Sequence, residues 1–197
     1  QIELYIKKPP NFFSSKNPLH YLFNMRYDIF PTPVWHIEGA PLQLIDELYQ
    51  GAYRVKKNHP SQNRSNEGGY QTPPFKWEDF HPQGKEYVNS EVGKVLEKDF
   101  KISEWWYNIN PTGTWNLPHS HPGSDFAVVL YVTESDQLLT LMNPNYHGRY
   151  LFDNVTDATP PNKKGDMVIF PSDLKHYVKP NQREEDRISI SMNLRLC

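Results

Sequence analysis

Cysteine is almost missing from this 197-residue chain: the one present, Cys197, is the final residue, so no disulfide can close within it. That excludes the disulfide-stapled secreted scaffolds and leads us to expect a reducing cytoplasm. Long apolar runs are missing as well. Nothing approaches the roughly 20 consecutive apolar residues of a membrane-spanning helix, and no signal-peptide pattern stands at the start. The sequons at Asn63-Arg64-Ser65 and Asn154-Val155-Thr156 are therefore read as chance. An excess of one charge sign is lacking too: 21 Lys and Arg against 23 Asp and Glu leave a net charge of -2. No segment is strongly basic, so electrostatics gives no reason to expect a nucleic-acid partner, while assembly into an oligomer stays open.

What is abundant is proline, 18 residues, and aromatic residues, 14% of the chain. Both favour a β-rich fold with elaborate loops. The length suits one domain with a substantial core. Residues 1–24, interrupted by Pro9-Pro10 and Ser14-Ser15, read as an N-terminal extension or arm. Residues 25–197 read as the domain proper, with helical support over 41–100 and a barrel core over 101–197. Residues 27–35 should form an edge strand, broken by Pro31 and Pro33. Leu42, Ile45, Leu48, Tyr49, Ala52 and Tyr53 fall on helical spacing after Pro41 and predict an amphipathic helix of three to four turns. Val88, Val92, Val95 and Leu96 mark a second helix, and the polar stretch 56–74 between the two is loop-like. From Ile102 onward short strands follow one another, at 102–110, 126–133, 138–142, 150–152, 167–170 and 187–196. Strands of that length, separated by Pro, Gly, Asn and Asp clusters, predict a mainly β, jelly-roll or cupin-like barrel with flanking N-terminal helices.

Chemistry concentrates at Trp115-Asn-Leu-Pro-His-Ser-His121. In extended backbone the side chains of His119 and His121 point to one face, so two imidazoles at this spacing can converge on a metal ion. Imidazole suits iron, zinc, copper and nickel. An isolated His-x-His beside Pro118 and Pro122 binds nothing more often than not, and the C-terminal end shifts that balance. There Ile188, Ile190, Met192, Leu194 and Leu196 alternate with Arg187, Ser189, Ser191 and Asn193, the period of a strand. In a closed barrel the polar row would line the interior. A buried Arg187 would then need an anion, and the guanidinium fork matches a carboxylate. Trp105, Trp106 and Trp115 flank this region and are read as packing ahead of substrate stacking. Tyr131 is read as core. His20, His36, His59, His81 and His147 have no comparable partners in sequence.

The order of two histidines, a distant His176 after a short apolar strand, and Arg-x-Ser at 187–189 resembles the Fe(II)- and 2-oxoglutarate-dependent dioxygenases of the double-stranded β-helix fold. More narrowly it is similar to the 2-oxoglutarate/Fe(II) oxygenase family of bacteria and marine phages, related to aspartyl/asparaginyl β-hydroxylase-like enzymes. The matching stretches are Phe-Pro-Thr-Pro-Val at 30–34, Ser-Asn-Glu-Gly-Gly-Tyr-Gln-Thr at 65–72 and Asn-Leu-Pro-His-Ser-His-Pro-Gly-Ser at 116–124. Gly-Asp-Met-Val-Ile-Phe-Pro-Ser at 165–172 and Arg-Ile-Ser-Ile-Ser-Met-Asn at 187–193 complete them.

The resemblance implies an enzyme with Fe(II) as metal and 2-oxoglutarate as cosubstrate, coupling decarboxylation to hydroxylation of a peptide or small molecule, in a host cytoplasm if phage-encoded. It implies His119 as first iron ligand and His176 as distal ligand, Arg187 and Ser189 on the far carboxylate of 2-oxoglutarate, Asn108 beside them, and 66–72 as a lid. It departs at the second ligand, where most of the superfamily has a carboxylate and this chain has His121. Three readings are open: His121 completes a three-His site, His121 points away and two histidines suffice, or Asp125 reaches in. Two other classes also stand: a three-His cupin-type enzyme that does not use 2-oxoglutarate, and a non-catalytic barrel serving as an interaction module.

Overall fold

The computed structural model describes residues 32–62, 64–136, 138–144 and 157–197, and Thr32–Cys197 form one compact unit. The arm over 1–24 and its boundary, the first part of the 27–35 strand, the strand expected at 150–152, His20 and His147 lie outside the described residues. Strand β1 (Trp35–Ile37) leads into helix α1 (Leu42–Asn58). Three two-residue strands follow, β2 (Asn66–Glu67), β3 (Tyr70–Gln71) and β4 (Phe75–Lys76), and then helix α2 (Pro82–Leu96). The remainder is sheet: β5 (Phe100–Asn110), β6 (Trp115–His119), β7 (Phe126–Tyr131), β8 (Leu139–Met142), β9 (Asp157–Ala158), β10 (Met167–Pro171), β11 (His176–Val178) and β12 (Arg187–Leu196).

These strands make two antiparallel sheets, the double-stranded β-helix that the sequence leads one to expect. The larger runs β1-β10-β7-β12-β5-β3 with β4 also on β5, and the smaller runs β2-β6-β11-β8-β9. Strand β12 sits between β5 and β7, and its alternation sorts the whole molecule into two environments. Ile188, Ile190 and Met192 pair with Ile109, Tyr107 and Trp105, and this apolar face packs on Leu44, Ile45 and Leu48 of α1 and Val88 and Val92 of α2. Each fully buried aliphatic side chain there contributes about 1.5–3 kcal/mol. That burial fixes the register, because a slip of one residue would turn Arg187 toward the helices. The opposite face pairs Arg187 with Asn110, Ser189 with Asn108, Ser191 with Trp106 and Asn193 with Glu104. It looks into the space between the sheets, where Val129, Tyr131, Leu139, Val168 and Phe170 form a second apolar cluster.

Two details depart from the sequence reading. Helix α1 has 17 residues, longer than three to four turns, because its last turn carries Lys56 and Lys57 and no apolar stripe to betray it. Those cations suit the negative end of the helix dipole. Leu42 is 69% exposed at the first turn, and Leu44 takes the buried position instead. The stretch 66–72 is a clip more than a free lid: β2 hydrogen-bonds to β6 in the small sheet and β3 to β5 in the large one, so it bridges the two. Gly68 turns the corner with φ +73°, and at Gly69 an added Cβ would lie 2.7 Å from the Ile109 carbonyl oxygen.

Candidate metal and cosubstrate site

Strands β6 and β11 are neighbours in the small sheet, and their register sets His119 opposite His176. The ladder is irregular between His176 and Val178, a distortion of the kind found beside functional sites. His121 lies just past the end of β6, held by its own N–H to the Ser172 carbonyl at 2.7 Å. The three rings close on one another, with centroids 4.3 Å (His119 and His176), 5.0 Å (His121 and His176) and 5.2 Å (His119 and His121) apart. One nitrogen from each falls within 4.8 Å of the other two.

Hydrogen bonds to the far nitrogens decide what these rings offer. Nδ1 of His119 donates to the Leu117 carbonyl at 2.6 Å and Nδ1 of His176 to the Leu174 carbonyl at 2.9 Å. Nδ1 of His121 donates to Asn193 Oδ1 at 2.6 Å, and that amide is oriented by its Nδ2, which donates to Glu104 Oε1 at 2.7 Å. With the proton on Nδ1 in all three, each Nε2 presents a lone pair. Burial holds all three imidazoles below the usual histidine range, His176 down to about 3, where His119 and then His121 add to the effect. Neutral, tautomer-locked imidazoles are what a divalent metal requires.

The second half of the site is anionic in preference. Arg187 is 2% exposed, with Nε donating to Ser135 Oγ at 2.7 Å and Nη1 to Asn110 Oδ1 at 3.3 Å and Ser189 Oγ at 3.2 Å. Among the described residues no carboxylate pairs with it. Burial lowers its pKa, yet a guanidinium keeps its proton, so the cavity contains an unneutralised charge. The Tyr131 ring lies 5.6 Å from that guanidinium. Its hydroxyl is buried beside Arg187 and Asn162, and burial pushes its pKa up to about 12 against the opposite pull of those two groups. One narrow cavity of about 30 Å³ is lined by both halves, with His119, His121 and His176 on one side and Asn108, Arg187, Ser189 and Ser191 on the other.

The structure thus brings together His119, His121, His176, Arg187, Ser189 and Asn108. Asn108 donates to Ser191 Oγ at 3.1 Å and leaves its Oδ1 buried without a partner, while the neighbouring Asn110 contacts Arg187 directly. Asp125 is not part of the cluster: its Oδ2 accepts from the Leu196 N–H at 2.9 Å. The tryptophans divide. Trp106 lines the cavity with its ring 5.4 Å from His121, Trp105 packs in the helix-facing core, and Trp115 is 41% exposed. His36 and His81 have carboxylate partners away from the site, Asp166 and Glu47. Sequence reasoning missed Asn110, Ser135, Glu104 and the role of Asn193. Only the inward alternation of β5 and β12 could have indicated the three of them on those strands, since every contact is remote in the chain.

Comparison with known proteins agrees with this geometry. Residues 104–193 match the model of the family described as "Putative 2OG-Fe(II) oxygenase". No curated protein sequence matches the chain. Among solved structures, a prolyl-4-hydroxylase of Pseudomonas putida is similar at 15% identity and TM-score 0.59, over 83% of this chain and 92% of that one. The viral collagen prolyl hydroxylase of Paramecium Bursaria Chlorella virus-1, solved with 2-oxoglutarate, aligns at 14% identity and TM-score 0.55, over 82% and 94%. HygX from Streptomyces hygroscopicus, with nickel and 2-oxoglutarate bound, aligns at 11% identity and TM-score 0.61, over 83% and 82%. At such identities the structures establish the double-stranded β-helix fold, and the family match covers the stretch that holds every candidate site residue. Over residues 104–193 the chain is thus similar to the 2-oxoglutarate/Fe(II) oxygenase family, and over most of its described length it shares that fold.

Proposed function

We propose that this protein is an Fe(II)- and 2-oxoglutarate-dependent oxygenase that hydroxylates a C–H bond of a peptide or small-molecule substrate. In this reading His119, His121 and His176 hold the iron, and Arg187, Ser189 and Asn108 hold the distal carboxylate of 2-oxoglutarate. The observation that carries the reading is Arg187, a buried cation with no anionic partner among the described residues, in the wall of the cavity that the three imidazoles also line. A dicarboxylate answers both ends at once: one carboxylate neutralises the guanidinium and the other turns toward the metal. The helical support and the barrel then act as one oxygenase domain. A cytoplasmic setting, which the lone Cys197 suggests, would keep the metal reduced.

Bound together, Fe(II) and 2-oxoglutarate supply dioxygen activation and the decarboxylation to succinate and carbon dioxide. The chain's own residues orient and shield. Arg187 and Ser189 fix which end of the diacid enters deepest, and the Tyr131 hydroxyl beside the guanidinium adds a further polar group to that end. Val129, Leu139 and Val178 present apolar surface around the reacting centre and exclude water from it. Substrate would arrive at the mouth, an adjoining cavity of about 310 Å³ edged by Arg64, Gln71, Glu104, Trp106 and Pro122. Neighbours of this fold include prolyl hydroxylases and HygX with hygromycin B bound, which supports a peptide or small-molecule class. No described helix is long and apolar enough to cross a membrane.

Anaerobic titration with Fe(II) and then 2-oxoglutarate tests the reading. A weak visible metal-to-ligand charge-transfer band should grow to one equivalent of cosubstrate. Iron binding without the band would favour a three-His enzyme that does not use 2-oxoglutarate, and no metal binding would favour a non-catalytic barrel.

A further inference from the structure

The third iron ligand in this reading is an imidazole, which leaves the metal site one negative charge short of the His-x-carboxylate arrangement. The structure places a carboxylate behind that imidazole. His121 Nδ1 donates to Asn193 Oδ1 at 2.6 Å, and Asn193 Nδ2 donates to Glu104 Oε1 at 2.7 Å. Both are short bonds; Asn193 and His121 are each 9% exposed, while Glu104 is half-buried at the mouth. The chain is assembled by the barrel itself: Glu104 and Asn193 are directly opposed on β5 and β12, on the face that looks into the cavity. Among the described residues no Lys, Arg or His pairs with Glu104, so its charge is not spent on a cation elsewhere.

We infer that Glu104, acting through the Asn193 amide, is a positioning residue that restores to the His121 side of the iron site the negative charge a carboxylate ligand would bring. The amide fixes the ring plane and the Nδ1 tautomer, and the carboxylate polarises the amide, which strengthens its pull on the His121 proton. Nε2 becomes the better donor as a result. In this role Glu104 acts through the amide and not on the metal, although its side chain also edges the mouth. The inference rests on the three-His reading above.

The substitution that isolates the charge is Glu104→Gln, because the glutamine oxygen still accepts from Asn193 Nδ2 and the geometry is kept. Apo protein, full chain, would be titrated anaerobically with Fe(II), and the charge-transfer band recorded after saturation with 2-oxoglutarate. Glu104→Gln should weaken Fe(II) about 10-fold, the lower end of what outer-shell substitutions cost, and move the band to higher energy. The double variant Glu104→Gln/Asn193→Asp puts the carboxylate directly on His121 Nδ1, with the glutamine amide donating to it. It should recover wild-type affinity and bring the band back. If Glu104→Gln binds iron like wild type with the band unmoved, or if the double variant stays as weak as the single one, Glu104 has no electronic role and the inference is overturned. Wild-type protein that binds no Fe(II) would instead overturn the iron reading and take this inference with it.

Discussion

Replacing Arg187 with Met separates the two halves of the site. The methionine side chain is close in length and apolar, so the cavity stays filled, while the positive charge and its donors to Ser135, Asn110 and Ser189 disappear. Two opposite effects follow. In apo protein the guanidinium is buried without an anion, and desolvating such a charge is costly, so its removal offsets part of the lost hydrogen bonding. Apo stability should change little. Cosubstrate binding should change greatly, because truncating one member of a buried charge-assisted pair costs about 2–5 kcal/mol, roughly a 30- to 4,000-fold loss of affinity. The assay is thermal unfolding with and without 2-oxoglutarate in the presence of metal. At about 100 times its Kd a ligand adds about 2.7 kcal/mol. For a chain of this size that raises Tm by roughly 5–10 °C. Wild type should show that rise, and Arg187→Met should show about a third of it or less at the same concentration while its metal-dependent shift persists. A variant that keeps the 2-oxoglutarate shift, or loses the metal shift instead, would refute the assignment.

Three further outcomes are expected. His121→Ala should abolish tight Fe(II) binding, whereas Asp125→Ala, whose exposed carboxylate accepts the Leu196 N–H, should leave iron affinity intact and cost about 0.5–1.5 kcal/mol of stability; isothermal titration and urea melts distinguish them. Gly69→Ala should destabilise by about 1–3 kcal/mol, read as a lowered urea midpoint, because its Cβ would press on Asn66 Oδ1 and the Ile109 carbonyl at the clip between the sheets. Apo stability should depend on pH through the histidine cluster. With folded values held below the unfolded value of about 6.5, the unfolded chain binds more protons in between, so stability is full above that pH and is lost as pH falls toward the His176 value of about 3. Urea melts from pH 7.5 to 5 should show the loss, His176→Gln should flatten it, and a flat wild-type profile would contradict it.

Much of this was written plainly in the chain. The alternation over 187–196 gave a strand with the observed bounds and correctly sent its polar row inward, because a period of two leaves only two faces to choose from. His119, His176 and Arg187 could be picked out by type and order. The short strands were harder. β6 and β11 are too brief and too polar for periodicity to register, since their inward positions hold Asn116, His119 and His176 in place of apolar residues. Leu42 continued a helical spacing but falls where the first turn of α1 reaches solvent. Asn193 and Glu104 were invisible as partners of His121 because 72 and 89 residues separate the members of each hydrogen bond, and only the register of β5 against β12 makes them neighbours.

The central claim is that three imidazoles hold a metal while a guanidinium in the same cavity holds the far end of a diacid. Crystals grown or soaked without oxygen in Fe(II) and 2-oxoglutarate test it most directly. The account predicts an anomalous iron peak bonded to Nε2 of His119, His121 and His176, with the distal carboxylate of 2-oxoglutarate paired to Arg187 and Ser189. Iron seated with His121 turned away, or a cosubstrate carboxylate lodged anywhere other than on Arg187, would contradict it.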